Sequence, residues 1–188
     1  VNHPVGIALA LIISAVINKG LKKLYQSSLL LPFLLSMVVV SYIVFAFLSQ
    51  ENGMFNSILK SMGKDIVYWY QDNGPWPFIL IFVNCWKGVG YGSLIYIAGI
   101  AGIDPAFYEA AELDGANKWQ QITRITLPCL VPQIITLVLM AIGRIFASDF
   151  GLFYQIPQNS GALFPTTQTI DTYVYRALIQ AGGIGRSS

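Results

Sequence analysis

Charged side chains are scarce in this sequence. Asp, Glu, Lys and Arg make up 11% of its 188 residues, whereas hydrophobic residues make up 55%. Soluble globular domains carry about 25% charged residues, and a mean hydropathy of +0.60 lies outside their usual range. The formal net charge is only +2, and no basic stripe with interleaved aromatic residues is present. The composition therefore predicts an integral membrane protein in a lipid bilayer and excludes a nucleic-acid partner.

Residues that usually carry catalysis or hold metals are also few. His3 is the single histidine, and no acids, bases or nucleophiles are clustered in the sequence. Cys85 and Cys129 lie in different apolar segments without CxxC or metal-type spacing, so we interpret both as packing residues. The glycine-rich stretch at 181–188 lacks the spacing and the lysine of a phosphate-binding loop. The sequence predicts no catalytic residue, no metal site and no cofactor bound by this chain.

Long apolar segments dominate what remains. A span of the ~30 Å hydrocarbon core needs about 20 residues. Four segments approach or reach that length, at about 4–17, 29–49, 78–102 and 129–147. Lys19, Lys22 and Lys23 follow the first segment, and basic loop residues mark the cytoplasmic side of a membrane. The segments are therefore predicted to run out-to-in, in-to-out, out-to-in and in-to-out.

A polar segment, residues 104–128, separates the third and fourth apolar segments and is predicted to be cytoplasmic. Asp104 is a suitable N-cap, and Pro105 suits the first helical position because its ring presets φ. Gly115 stands where a helix can end in a left-handed residue, and Asn117 can cap a second helix. The segment therefore predicts a short helix, a glycine bend and a second helix.

The same segment carries a recognisable motif. Glu109-Ala110-Ala111 is followed by three residues, then Gly115, then nine residues and ITLP at 125–128. This pattern resembles the EAA loop of permease subunits of bacterial ABC importers. The flanking stretches IDPAFYEAAELDGANKW and SDFGLFYQIPQNSGALFPTTQTIDTYVYRAL resemble the polysaccharide-type, LplB-like branch of the carbohydrate permeases. Ile122 departs from the pattern, because many sugar permeases carry an aromatic residue there.

The resemblance implies an all-α polytopic membrane protein with the MetI-like permease bundle. The chain would be a single transmembrane domain, 1–188, cut at both ends and holding about four of six transmembrane helices plus a cytoplasmic coupling helix. The implied ATPase-coupling interface consists of Tyr108, Glu109, Ala110, Ala111, Glu112, Leu113, Asp114 and Gly115.

The resemblance also implies import of an oligo- or polysaccharide across a bacterial plasma or inner membrane. The expected partners are an ATP-binding-cassette ATPase dimer that carries ATP and Mg²⁺, a second homologous permease subunit and an extracellular solute-binding protein. The segment 148–168 would face that binding protein. The chain itself would not be an enzyme.

Polar residues inside the apolar segments are candidates for the transport pathway. Lys87 lies well inside the third segment, where a charge costs at least ~2.5 kcal/mol on insertion scales. It can line a pathway, snorkel outward or neutralise a neighbouring subunit. Other residues join Lys87 because they share helical spacing or lie near the predicted outer side. The candidate set is Asn84, Lys87, Tyr91, Met140, Arg144 and Asp149. Arg144 and Asp149 can form an ion pair, partner Lys87 or bind substrate, and the sequence does not choose.

The external segment 50–77 is rich in aromatic residues. Tyr68, Trp69, Tyr70 and Trp76 are predicted to form a belt at the headgroup level, with substrate reception as the alternative.

Other function classes remain to be compared with the importer permease. An ion-coupled secondary transporter explains the intramembrane charges but leaves the EAA pattern without a role. A permease for a non-sugar solute, a membrane enzyme, and an ordinary amphipathic helix at 104–128 are the further alternatives.

Overall fold

The computed structural model describes residues 2–16, 18–143 and 147–184, and Arg144 lies outside them. The all-α prediction is confirmed, since this part of the chain contains helices and no strand. The α-helices are α1 Asn2–Ser14, α2 Lys19–Leu34, α3 Met37–Leu48, α4 Met54–Ser61, α5 Trp76–Ala101, α6 Pro105–Leu113, α7 Lys118–Gln121, α8 Leu127–Gly143, α9 Phe164–Thr167 and α10 Ile170–Ile184. Two π-helical turns, Ile122–Thr126 and Gly151–Gln155, and a 3₁₀ turn, Gly161–Leu163, complete the elements.

The helices differ from the predicted spans at one place. Where the sequence predicts one span over 29–49, the chain has two helices, α2 and α3, that are interrupted after Leu34. Ser36 caps α3, because its side chain accepts a hydrogen bond from the Val39 amide. Hydroxyl groups at an N-cap satisfy amides that a helix leaves unpaired at its start. A local cap thus separates two helices within an apolar run whose composition does not change.

Two helices are long and apolar enough to cross a membrane, Trp76–Ala101 and Lys118–Gly143, among the residues described. A third candidate arises if the bent pair Gly20–Leu34 and Met37–Leu48 counts as one span, and His3–Ser14 is a shorter apolar helix. These helices correspond to the four predicted apolar segments, and the four-span topology stays a prediction.

The chain folds into two compact units. The first combines Val1–Leu34 with Cys85–Ile145, and the second combines Leu35–Asn84 with Phe146–Ser188. Helix α5 contributes to both, because its residues 76–84 belong to the second unit and 85–101 to the first.

The first unit is held by close packing of α1, α2, α5 and α8. Ala10, Ile13, Tyr96 and Ile97 form its buried apolar cluster. A Cβ added at Gly90 would overlap the carbonyl oxygen of Leu29, so α2 and α5 approach at a position that only glycine can occupy.

The second unit has a larger core around Trp76. Its buried members are Val40, Trp76, Leu80, Val83, Leu152, Ile156 and Leu163. The Trp76 side chain is fully buried, and its Nε1 donates to the Trp69 carbonyl oxygen at 2.6 Å. The predicted headgroup belt is therefore wrong for Trp76, which is a core residue of the chain. Tyr68 remains exposed.

Candidate functional site

Helix α6, the first half of the polar segment, begins as its sequence predicts. The Asp104 side chain accepts a hydrogen bond from the Ala106 amide at 2.9 Å, and Pro105 occupies the first helical position. Both features determine where α6 starts through residues at most two positions apart. Helix α6 therefore begins shortly after α5, which ends at Ala101.

The predicted bend lies at Gly115. Its φ is +76°, in the left-handed region that glycine adopts without a Cβ penalty. The Ala116 amide donates to the Ala111 carbonyl at 2.9 Å and the Gly115 amide donates to the Glu112 carbonyl at 3.1 Å. This pair of bonds is the Schellman arrangement of a helix C-terminus. Gly115 therefore ends α6 and sets the direction in which the chain continues.

The N-terminus of helix α7 is stabilised by a reciprocal pair of side-chain caps. The Asn117 amide donates to the Gln120 side chain at 2.8 Å, and the Gln120 amide donates to the Asn117 side chain at 2.9 Å. This capping box satisfies two donors that a helix start leaves open. The prediction of Asn117 as the cap of the second helix agrees with this geometry.

The sequence predicts that the second helix of the polar segment ends before Pro128, but the structure has no break there. Helix α7 continues through the π-helical turn into α8, giving one helix over Lys118–Gly143. The Leu127 amide donates to the Ile122 carbonyl, five residues back instead of four. We attribute the wider turn to Pro128, whose ring crowds the preceding turn and whose missing N–H breaks the regular pattern.

A polar network joins the two helices of the loop. The Lys118 ammonium lies 2.7 Å from the Glu112 carboxylate, and both side chains are exposed. The buried Gln121 amide donates to the same carboxylate at 3.4 Å. Hydrogen bonds from Lys118 and then Gln121, with the charge of Lys118, hold the pKa of Glu112 below its usual value. Glu112 is therefore engaged within the chain.

The eight residues predicted for the coupling interface do not share one environment. Tyr108 and Ala111 are half-buried against the chain, and Glu112 pairs with Lys118. The remaining members are exposed: Glu109, Ala110, Leu113, Asp114 and Gly115. A cleft of about 300 Å³ lies beside the bend and is lined by Ala111, Asp114, Gly115, Ala116, Gln120, Gln121, Arg124 and Ile125.

Large apolar side chains stand on the outside of this polar loop. Phe107 is 59% exposed, Leu113 is 90% exposed and Trp119 is 72% exposed. Exposed large apolar side chains in polar surroundings are candidates for interaction sites on proteins. Leu113 is one of the eight residues predicted for the coupling interface, whereas Phe107 and Trp119 are not among them, although their polar surroundings in the sequence are a usable signal.

Lys87 has partners at the end of another helix. Its ammonium donates to the Phe33 carbonyl at 3.1 Å and the Pro32 carbonyl at 3.4 Å, and it lies 6.0 Å from the centroid of the Phe33 ring. These carbonyls belong to the last turn of α2, where helices leave acceptors unpaired and favour a cation. The arrangement supports a structural role for Lys87, which the sequence left open beside pathway lining.

The other pathway candidates belong to both compact units. Tyr91 stacks on the Phe33 ring at 4.8 Å, so it is brought close to Lys87, whereas Asn84 lies about one turn earlier on α5. Met140 is exposed on α8. The Asp149 carboxylate accepts a hydrogen bond from the Leu152 amide at 3.1 Å. Arg144 lies outside the described residues, and the pathway assignment of all six stays a prediction.

We expect replacement of Lys87 with methionine to lower the thermal stability of the purified complex. The change keeps the apolar stem but removes the ammonium that donates to two helix-end carbonyls, and a typical hydrogen bond contributes about 0.5–1.5 kcal/mol net. Lys87→Arg, which retains donors, is the matched control. A wild-type melting temperature together with lost uptake would contradict the structural role and favour pathway lining.

Sequence reasoning missed the buried polar residues that organise the loops. Asn56 is fully buried within the segment 50–77, and Thr126 and Gln121 are each 4% exposed, at the end of the π-helical turn and directly before it. In the second unit the Arg176 guanidinium lies 3.7 Å from the Phe164 ring centroid, and its Nε donates to the Asn159 side chain at 2.8 Å. Thr126 lies in the ITLP motif, but the motif predicts neither its burial nor the contacts of the other residues.

Comparison with known proteins places these features in a family. The family model described as "binding-protein-dependent transport system inner membrane component" matches residues 3–184. The polygalacturonan/rhamnogalacturonan transport system permease protein YteP of Bacillus subtilis is 29% identical over 98% of this chain and 57% of its own length. The lactose transport system permease protein LacF of Rhizobium radiobacter is 29% identical over 93% of this chain and 60% of its own length.

Comparison with solved structures gives the same family of proteins. The chain is similar to a chain in the crystal structure of a bacterial ABC transporter involved in import of the acidic polysaccharide alginate, with a TM-score of 0.87 and 39% identity over 96% of this chain and 62% of that one. A bacterial alginate ABC transporter in complex with an alginate pentasaccharide-bound periplasmic protein matches with a TM-score of 0.86. The chain spans about three fifths of the length of these proteins. It has the fold of an ABC importer permease and belongs to the binding-protein-dependent transport system inner membrane components.

Proposed function

We propose that this chain is part of the membrane permease subunit of an ATP-driven carbohydrate importer, and that residues 104–128 dock on a separate ATPase subunit. The observation that carries the docking proposal is the exposure of Phe107, Leu113 and Trp119 on a polar, rigidly capped loop. A fixed helix with apolar side chains is suited to a groove on a partner protein. The loop directly precedes α8, so a partner bound there contacts a candidate membrane span at its base.

The charges of the loop favour a partner with basic residues. Glu109 and Asp114 are exposed on α6 and at its end, whereas Glu112 is paired with Lys118. Carboxylates near a helix can accept charge-assisted hydrogen bonds from arginine or lysine. Glu109 and Asp114 are therefore the acidic contacts of the proposed interface, and the apolar side chains supply its buried area.

A carbohydrate substrate is supported by the names of the relatives. The relatives named above transport polygalacturonan or rhamnogalacturonan, lactose and alginate. We propose an oligo- or polysaccharide as the substrate, delivered by an extracellular solute-binding protein, as the alginate transporter complex with its periplasmic protein suggests by analogy. ATP and Mg²⁺ would bind the ATPase dimer, and a second homologous permease subunit would complete the pathway in a bacterial inner membrane.

The second unit offers a stiff segment for the binding protein. Gln158 and Asn159 have left-handed φ values of 54° and 51°, a conformation that costs free energy in residues other than glycine. The contact of Arg176 with Asn159 and its position over the Phe164 ring hold this segment. A pre-formed loop loses little conformational entropy on docking. We therefore propose residues 148–168 as the surface that receives the solute-binding protein.

Replacing Leu113 with aspartate tests the docking proposal. We expect the ATPase subunit that co-purifies with the permease to fall by about tenfold, because a central apolar contact contributes more than 1 kcal/mol to an interface. Met62→Asp is the matched control, since Met62 is an exposed apolar residue outside residues 104–128. An unchanged amount of ATPase in the Leu113 variant, with the control also unchanged, would contradict the proposal.

A further inference from the structure

Tyr108 is turned away from the exposed face of α6. Its hydroxyl lies 2.9 Å from the Thr126 hydroxyl, eighteen residues further along the chain. Its neighbour Glu109 is exposed, whereas Tyr108 is half-buried and Thr126 is only 4% exposed. Tyr108 therefore contacts the chain's own π-helical turn and is separate from the apolar docking surface of the loop.

The Thr126 hydroxyl has a second partner in its own helix. It lies 3.4 Å from the Gln121 carbonyl, five residues back, and can donate to it. Either hydroxyl of the Tyr108–Thr126 pair can be the donor, because each carries one proton and can also accept. The bond to Gln121 depends on the π register, because that register places a carbonyl five residues before Thr126.

The other end of α6 is attached to the same turn. The Gln121 side-chain amide donates to the Glu112 carboxylate at 3.4 Å and to the Ala116 carbonyl at 3.5 Å. Tyr108 near the start of α6 thus contacts the residue that closes the π-helical turn, and Glu112 near its end contacts Gln121, the residue directly before the turn. These two lateral contacts supplement the backbone connection at Gly115.

We propose that Tyr108 and Thr126 are positioning residues that transmit movement of α6 into α8. The inference rests on the proposed function, in which α6 is the docked element. A π-helical turn holds one residue more than an α-helical turn, so it can change register without breaking the helix. The hydroxyl pair fixes this turn to α6. Because Lys118–Gly143 is one continuous helix, displacement of its base is carried along its length.

The test uses the complete importer reconstituted in liposomes. Tyr108→Phe removes only the hydroxyl, and Thr126→Val removes the other member of the pair. The matched control is Thr123→Val, because the Thr123 hydroxyl donates within its own helix, to the Trp119 carbonyl at 2.9 Å. Each variant is measured for co-purifying ATPase subunit and for ATP hydrolysis with and without loaded binding protein, expressed per bound ATPase.

We expect Tyr108→Phe and Thr126→Val each to lower the stimulation by binding protein by at least about five-fold, the lower end of an allosteric coupling. The double variant should be no worse than either single variant, because both remove one contact. Co-purifying ATPase should match the control.

Stimulation equal to that of Thr123→Val would overturn the proposal. Loss of ATPase from the Tyr108 variant would also overturn it, since the hydroxyl would then belong to the docking surface. Failure of the docking proposal is seen separately, in an unaffected Leu113→Asp complex.

Discussion

Replacing Gly115 with valine is expected to abolish uptake and the stimulation of ATP hydrolysis by loaded binding protein. The φ of +76° is unfavourable for any residue with a Cβ, by roughly 1–2 kcal/mol, and more so for a β-branched one. An added Cβ meets no atom within 4 Å, so the penalty comes from the backbone alone. Relief of the strain requires a negative φ, which breaks the hydrogen bonds that Gly115 and Ala116 donate to the end of α6. Helix α6 would then leave the bend in a different direction.

Gly63→Val provides a matched control for this variant. Gly63 has a φ of +70°, and a Cβ there also meets no atom within 4 Å, but it follows α4 outside the docking loop. Both variants carry the same backbone penalty, and only Gly115→Val re-aims α6. Gly115→Asn should retain much of the coupling, because asparagine enters the left-handed region more readily. ATP turnover in liposomes with and without loaded binding protein measures the effect. If loaded binding protein stimulates ATP hydrolysis normally in Gly115→Val, the bend has no role in coupling.

The parts of the loop that the sequence predicts depend on short-range contacts. Asp104 caps α6 through an amide two residues away, and Asn117 and Gln120 cap α7 through each other. Such contacts are determined by residue type and spacing alone. The glycine bend belongs to the same class, because its two hydrogen bonds join residues three to five positions apart. Local chemistry therefore suffices for the outline of the loop at 104–128.

Long-range contacts account for what the sequence does not reveal. Lys87 and the Phe33 carbonyl are 54 positions apart, so the sequence shows a costly intramembrane charge but not the helix end that receives it. Tyr108 lies directly before the EAA motif and Thr126 lies in the ITLP motif, but they are 18 positions apart, so the sequence does not reveal that their hydroxyls meet. The interruption between α2 and α3 also escapes prediction, because apolar residues continue on both sides of Ser36.

Replacing Asn56 with leucine is expected to destabilise the segment 50–69 of the second unit strongly. Asn56 is fully buried. Its Nδ2 donates to the Gln50 carbonyl at 3.1 Å and the Val67 carbonyl at 2.9 Å. Its Oδ1 accepts from the Val67 amide at 3.1 Å and from Trp69 Nε1 at 3.2 Å. The side chain thus uses its full hydrogen-bonding capacity to join two stretches of the segment 50–69.

Leucine is close in size but leaves these backbone and indole groups without their partner. Each buried unsatisfied group costs about 1–3 kcal/mol, so we expect a loss of at least about 3 kcal/mol after partial solvation. Thermal unfolding of the purified complex and tryptic cleavage at the exposed Lys60 and Lys64 measure this loss, because both lysines lie between Asn56 and Val67. Ser57→Ala is the control, since the Ser57 hydroxyl donates only locally, to the Gly53 carbonyl. If Asn56→Leu melts and is cleaved like that control, the amide does not hold the segment together.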